Sequence, residues 1–136
     1  MLDKVDRKLK HLELIQNIIN RMNSSSFIIK GWSITLVSGL FALSITYGNI
    51  PLIIASLFVL LIFWIMDGFY ISRERMFRDL YEDVATKNED QIDFKMMINH
   101  YYKGNRTWFA SIFSKTLLPF YLPILLGLVT IYIVTR

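Results

Sequence analysis

Three stretches of about twenty residues, nearly empty of charge, dominate this chain: 27–47 (FIIKGWSITLVSGLFALSITY), 50–71 (IPLIIASLFVLLIFWIMDGFYI) and 116–135 (TLLPFYLPILLGLVTIYIVT). A helix rises about 1.5 Å per residue, so about 20 apolar residues cross a hydrocarbon core roughly 30 Å thick. Each stretch therefore predicts a transmembrane helix. The 15 Lys and Arg and 11 Asp and Glu concentrate instead in residues 1–30 and 72–106, the segregation that a bilayer demands. At 54% apolar residues over 136, the chain is too hydrophobic for an ordinary soluble domain and long enough for one domain only.

The expectation is an all-α integral membrane protein with three transmembrane helices in four parts: an amphipathic N-terminal helix over 1–26, a transmembrane hairpin over 27–71, a cytoplasmic helical segment over 72–106, and an interfacial start with the third transmembrane helix over 107–136. Only Gly48 and Asn49 separate the first two spans, and Pro51 follows at the next helix start, so these spans form an antiparallel hairpin. The hairpin tip has no Lys or Arg. Short basic flanks stay inside, which predicts an inner-membrane protein with a cytoplasmic N-terminus and residue Arg136 outside. The first apolar run begins behind a charged 26-residue segment, so no removable signal peptide is expected.

Before the first span, Leu2, Val5, Leu9, Leu12, Ile19 and Met22 recur at helical spacing with charge opposite. Asn23 and Ser24 to Ser26 are expected to end this helix and cap the next. Its stripe either lies among head groups or packs on residues 72–102. Beyond Phe69 there is no Gly or Pro until Gly104, so the second span should continue as a helix to about Ala85. Glu74 with Arg78, Arg75 with Asp79 and Arg78 with Glu82 are four apart and support it. Asn88 and Gln91 resemble a capping box that opens a further helix over about 89–102. Pro119 and Pro123 are expected to bend the third span near its entry.

The residues limit the chemistry on offer. There is no cysteine, hence no disulfide, thiolate nucleophile or Cys-based metal site. His11 and His100 lack companions at ligand or acid-base spacing and read as head-group or partner contacts. No enzyme, cofactor or metal is expected. Residues 72–106 hold seven basic and seven acidic side chains, and the basic excess sits beside the membrane, so anionic lipid is the expected electrostatic partner and nucleic acid is not.

Three groups stand out. Lys30 and Asp67 lie equally far from the hairpin tip, so they should share a depth. Either they form an ion pair at the cytoplasmic edge of the membrane, with Trp32 and Trp64 as an aromatic belt inside it, or Lys30 snorkels and Asp67 reaches head-group water. Gly31, Thr35 and Gly39, with Ser38 and Ala42 alongside, form a small-residue face that lets helix backbones approach closely. That face serves either packing within the chain or a symmetric homo-oligomer. Arg73, Arg75, Phe77, Arg78, Leu80 and Tyr81 offer a cytoplasmic face for a soluble partner protein.

Residues 64–84, WIMDGFYISRERMFRDLYEDV, carry a spanning helix straight into an Arg-Glu-Arg-x-Phe-Arg-x-Leu-Tyr helix. This resembles the small membrane effector modules of bacterial conflict systems, the SLATT and related families. The resemblance implies assembly into membrane-disrupting or pore-forming complexes when a partner or nucleotide signal is sensed. The functional expectation is a non-enzymatic, oligomeric, membrane-permeabilising effector in antiviral defence; a membrane anchor or scaffold subunit that recruits a soluble partner is the alternative.

Overall fold

The computed structural model describes residues 3–136. Among them all regular structure is helical: α1 (Lys4–Tyr47), α2 (Ile50–Thr86), three single 3-10 turns, α3 (Trp108–Ile112) and α4 (Leu118–Thr135). Three of these, α1, α2 and α4, are long and apolar enough to cross a membrane. The 44 residues of α1 and 37 of α2 make rods of about 66 and 55 Å, well beyond the roughly 30 Å of a hydrocarbon core, whereas the 18 residues of α4 come to about 27 Å. The hairpin therefore has one half apolar enough to cross a membrane and another half that projects beyond that length.

Gly48 makes the hairpin turn. It takes the left-handed conformation at φ 61°, which an L side chain disfavours, and its N–H donates to the Ser44 carbonyl. Ser44 Oγ closes the turn by donating to the Asn49 carbonyl at 2.9 Å, and Pro51 sits in the first turn of α2, where its missing N–H costs nothing.

The expected break at Asn23–Ser26 does not occur: α1 runs straight through it. Asn and Ser disfavour helix interiors by only some tenths of a kcal/mol. Against that, Ile15, Ile19, Ser26, Ile29, Ser33 and Val37 keep a three-and-four spacing that holds one continuous seam against α2. Of the N-terminal stripe, Leu12 and Ile19 pack against residues 76–98, whereas Val5 and Leu9 are exposed. Ile15, Ile19, Met76, Leu80, Val84, Ile92 and Ile98 form one core at the charged end, and Leu12 packs on it. Leu2 lies outside the described residues. Val37, Leu60, Trp64, Ile71, Leu117, Tyr121 and Leu128 form a second core in the spans.

α2 ends at Thr86, one residue beyond expectation. The helix expected over 89–102 is absent. Asn88 is extended and makes no side-chain cap, and only the turns Glu89–Gln91 and Asn99–Tyr101 are helical. Residues 87–103 instead form a strap across α1 and α2. Ile92 and Ile98 reach the core, while Phe94 adopts φ 55° so that its ring meets His11 edge-on at 5.5 Å. Lys8 Nζ ties α1 to the end of α2 by donating to the Ala85 and Lys87 carbonyls at 3.0 and 2.8 Å.

Pro119 falls in the first turn of α4 and needs no bend, and Pro123 alone lies inside it. α3 forms the short helix expected ahead of the third span. Thr135 lies beside Ser44 and Gly48, so the C-terminus and the hairpin tip share one end, and residue 4 and residues 72–107 share the other. Large apolar side chains cover the outside of the spans: Phe58 is 65% exposed, Ile133 67% and Val134 79%. Such a continuous apolar surface suits lipid and would be an aggregation hazard in water.

Candidate functional site: a buried polar junction of the three long helices

Asp67 is the lone acid of the apolar blocks, and its position in α2 is fixed by the seam residues Ile53, Ser56, Leu60 and Ile71. It is 0% exposed. A bare carboxylate in such a place would cost several kcal/mol, so it must be saturated with donors. Oδ1 accepts from Ser26 Oγ. Oδ2 accepts from Lys30 Nζ at 2.6 Å and from the Tyr121 hydroxyl at 2.9 Å. Lys30 Nζ also donates to Ser26 Oγ at 2.8 Å, one helical turn back.

α1, α2 and α4 therefore each bring a polar side chain to one point. The Lys30–Asp67 pair leaves the junction neutral, and Lys30 Nζ lies 5.9 Å from the Phe120 ring centre. A second layer locks α4 and α3 beside it. The Trp64 ring stacks on Tyr121 at 5.6 Å and 5°, and its Nε1 donates to the Ile112 carbonyl at 2.9 Å. Ile112 in turn fits against Gly68, where an added Cβ would stand 2.5 Å from Ile112 Cγ1. Trp64 is thus 7% exposed and forms no aromatic belt with Trp32, whose ring is open on the outside. Its indole is consumed by the junction.

The small-residue face has a different fate from packing within the chain. Gly31, Thr35, Ser38, Gly39 and Ala42 are all exposed, and a Cβ on Gly31 or Gly39 would meet nothing within 4 Å. The seam with α2 uses Ser26, Ser33 and Ser44 on the opposite side of the helix. Thr35 Oγ1 only donates back to the Gly31 carbonyl.

The face expected to receive a partner is largely used inside the molecule. Leu80 is 5% exposed in the charged-end core, with Phe77 and Tyr81 packed against it. Arg73 lies over the Phe69 ring at 5.1 Å, Arg75 donates to the Asn105 carbonyl at 2.8 Å, and Arg78 pairs with Glu74. Asp79 turns from Arg75 to Arg106, which grips it with two nitrogens at 2.7 and 2.9 Å. That grip holds the Arg106 guanidinium above its ordinary range. Lys87 beside Asp83 holds that carboxyl below its ordinary range, and burial next to Asp83 pushes the Tyr101 phenol up to about 12.

His11 is buried against Phe94, not turned toward head groups or a partner, and its Nε2 has no hydrogen-bond partner. Burial pushes its imidazole below the usual value, with Asp93 acting weakly the other way. Among the described residues no three His, Asp or Glu side chains stand together as a metal site.

Tyr121 and Ser26 are the members of the junction that the sequence reading missed. A signal existed: a carboxylate inside an apolar helix has about four acceptor positions, more than one lysine fills. Polar side chains at matching depth in the other spans were the natural candidates. No family model, curated protein or solved structure matches the chain.

Proposed function

We propose that this chain is the subunit of an oligomeric membrane protein whose assembly raises membrane permeability, with the N-terminus and residues 72–106 in the cytoplasm. The observation that carries the reading is the open small-residue face of α1. One side of that helix is fully engaged with α2, while the row Gly31, Thr35 and Gly39 is bare. In lipid, where apolar surface alone gives helices little reason to associate, rows of small residues are what let backbones meet. Within a single copy the two charges of the spans, Lys30 and Asp67, neutralise each other, and Ser26 and Tyr121 close the junction around them, so it offers no free polar group to an ion. A leak therefore needs several copies. The basic flanks support this orientation, and the likeness of residues 64–84 to SLATT-type effectors supports a role for such an assembly in bacterial defence.

The test is expression in a bacterial host carrying a dye that reports membrane potential. Depolarisation that grows with expression and disappears with Gly39→Leu supports the reading. Full polarisation at high expression overturns it.

A second reading, an anchor that recruits a soluble partner and conducts nothing, is favoured by one observation. An open groove of about 450 Å³ remains at the charged end between Met22, Phe69, Phe77, Met96 and Met97, and Met97 is 61% exposed. Flexible methionines suit a docking surface. This reading predicts unchanged permeability together with a protein that copurifies and is lost with Met97→Glu.

A further inference from the structure

Where the charged end meets the spans, α2, the Gly104–Arg106 turn and α3 enclose a groove of about 610 Å³. Four cations line it, Arg75, Arg78, Arg106 and Lys115, against the two carboxylates of Asp79 and Glu82. Arg106 is spent on Asp79, but the other three retain donors. Arg75 gives one nitrogen to the Asn105 carbonyl, Arg78 gives its Nε to Glu74, and Lys115 makes no hydrogen bond or ion pair among the described residues.

Ser114 lines the same groove, but its Oγ is buried beneath the surface, as are the equally unpartnered hydroxyls of Ser33 and Ser111, so it is no donor to a ligand there. Four cations against two carboxylates leave the groove a surplus of positive charge and of donors, which points to an anion with oxygen acceptors. The depth of the groove narrows the source. Lys115 stands three residues before α4 begins, and Arg75 lies eight residues beyond Asp67 on α2. Phe113 lines the groove, and it and Phe109 are exposed, at 54% and 74%. Exposed apolar rings beside cations suit the boundary between acyl chains and head groups.

We propose that this groove binds the phosphate of an anionic phospholipid, with Lys115 and Arg75 as its principal cations. A soluble phosphate compound would use the same donors, but the aromatic mouth supplies a place for acyl chains that such a compound lacks. The inference rests on the membrane setting of the proposed function and is independent of any leak. A chain that stays in solution without detergent would sink the setting; lipid binding without head-group preference would sink only the groove.

The experiment titrates the detergent-purified protein with phosphatidylglycerol, with phosphatidylcholine and with inorganic phosphate, reading bound lipid by native mass spectrometry. Phosphatidylglycerol is expected to bind in preference to phosphatidylcholine. Lys115→Gln and Arg75→Gln should each weaken it about fivefold, the effect of one surface cation worth about 1 kcal/mol. Glu82→Gln should strengthen it, which a merely structural role would not do, and Lys10→Gln, outside the groove, should change nothing. Lys115 is exposed, so its replacement leaves the fold intact. Equal binding of the two lipids, or undiminished binding by Lys115→Gln, overturns the proposal. Competition by millimolar inorganic phosphate overturns its lipid source.

Discussion

Lys30 and Asp67, 37 positions apart in the chain, meet at 2.6 Å with the carboxylate wholly buried and the lysine side chain 19% exposed. Their depth match follows from the hairpin geometry, since equal distances from the turn between Gly48 and Asn49 bring residues of α1 and α2 level. What the pair does depends on Tyr121, which reaches the same carboxylate from α4 and makes a two-helix contact into a three-helix one.

Removing one partner should therefore cost far more than removing both. Asp67→Ala leaves a lysine, a serine and a tyrosine hydroxyl without their acceptor and is expected to destabilise by about 3–5 kcal/mol. Lys30→Met with Asp67→Leu removes both charges and should recover most of that loss. Unfolding in mixed micelles measures both. A double variant no more stable than Asp67→Ala would show that the ion pair is not what the junction depends on.

Glycines 39 and 68 invite opposite outcomes. At Gly68 an added Cβ meets Ile112 Cγ1 at 2.5 Å and its backbone N and Cα at 3.3 Å. Gly68→Ala should cost about 1–3 kcal/mol by overpacking and loosen α3 and α4 from the hairpin. Trp64 stacks on Tyr121, so its fluorescence reports the loosening. At Gly39, which is exposed, an added Cβ meets nothing within 4 Å, so Gly39→Leu should leave the stability of the single chain unchanged while reducing the mass of the assembly in light scattering. Unchanged mass would remove the face from the interface.

The parts read well from sequence are those fixed by composition and local spacing. Three helices long and apolar enough to span, the two-residue turn and the length of α2 depend on runs of apolar residues, on Gly48 and on the absence of helix breakers between residues 69 and 86. The parts read badly depend on what a side chain meets. Ser26 looked like a cap because serine favours caps, yet its hydroxyl serves Asp67 from mid-helix. Residues 89–102 looked helical by their start signal, yet Ile92 and Ile98 gain more from reaching a core that α1 and α2 had already built. Trp64 and Leu80 read from sequence as outward-facing, and tertiary packing takes both inward.

The projecting half of the hairpin should behave as a packed unit. Ile15 is 0% exposed between Met76, Leu80 and Ile98, so Ile15→Ala is expected to cost about 2–5 kcal/mol and to open the strap to protease. Thermal unfolding with limited proteolysis in detergent measures both effects. A helix floating separately among head groups would lose almost nothing, and unchanged stability would favour that arrangement.

Acidification should loosen the strap through His11. Its ring is buried under Phe94, Nε2 has no partner, and Arg7 lies 5.8 Å from the same Phe94 ring and adds no acceptor. Burial lowers the imidazole from its ordinary 6.5, and Asp93 only partly opposes this. The folded protein therefore binds the proton less well than the unfolded chain. The stability this histidine confers is intact above 6.5 and is lost as pH falls below that value through the depressed one. The depressed Asp83 and Asp90 carboxyls have ordinary values of 3.8, so their contribution is lost only in stronger acid. Between about pH 7.5 and about pH 5.5, where histidine is the side chain that ordinarily titrates, the thermal midpoint should fall and proteolysis of the strap should quicken. His11→Leu should flatten both responses. His100, exposed beside Tyr101, is the control: if His100→Leu removes the pH response and His11→Leu retains it, the buried imidazole is not its source.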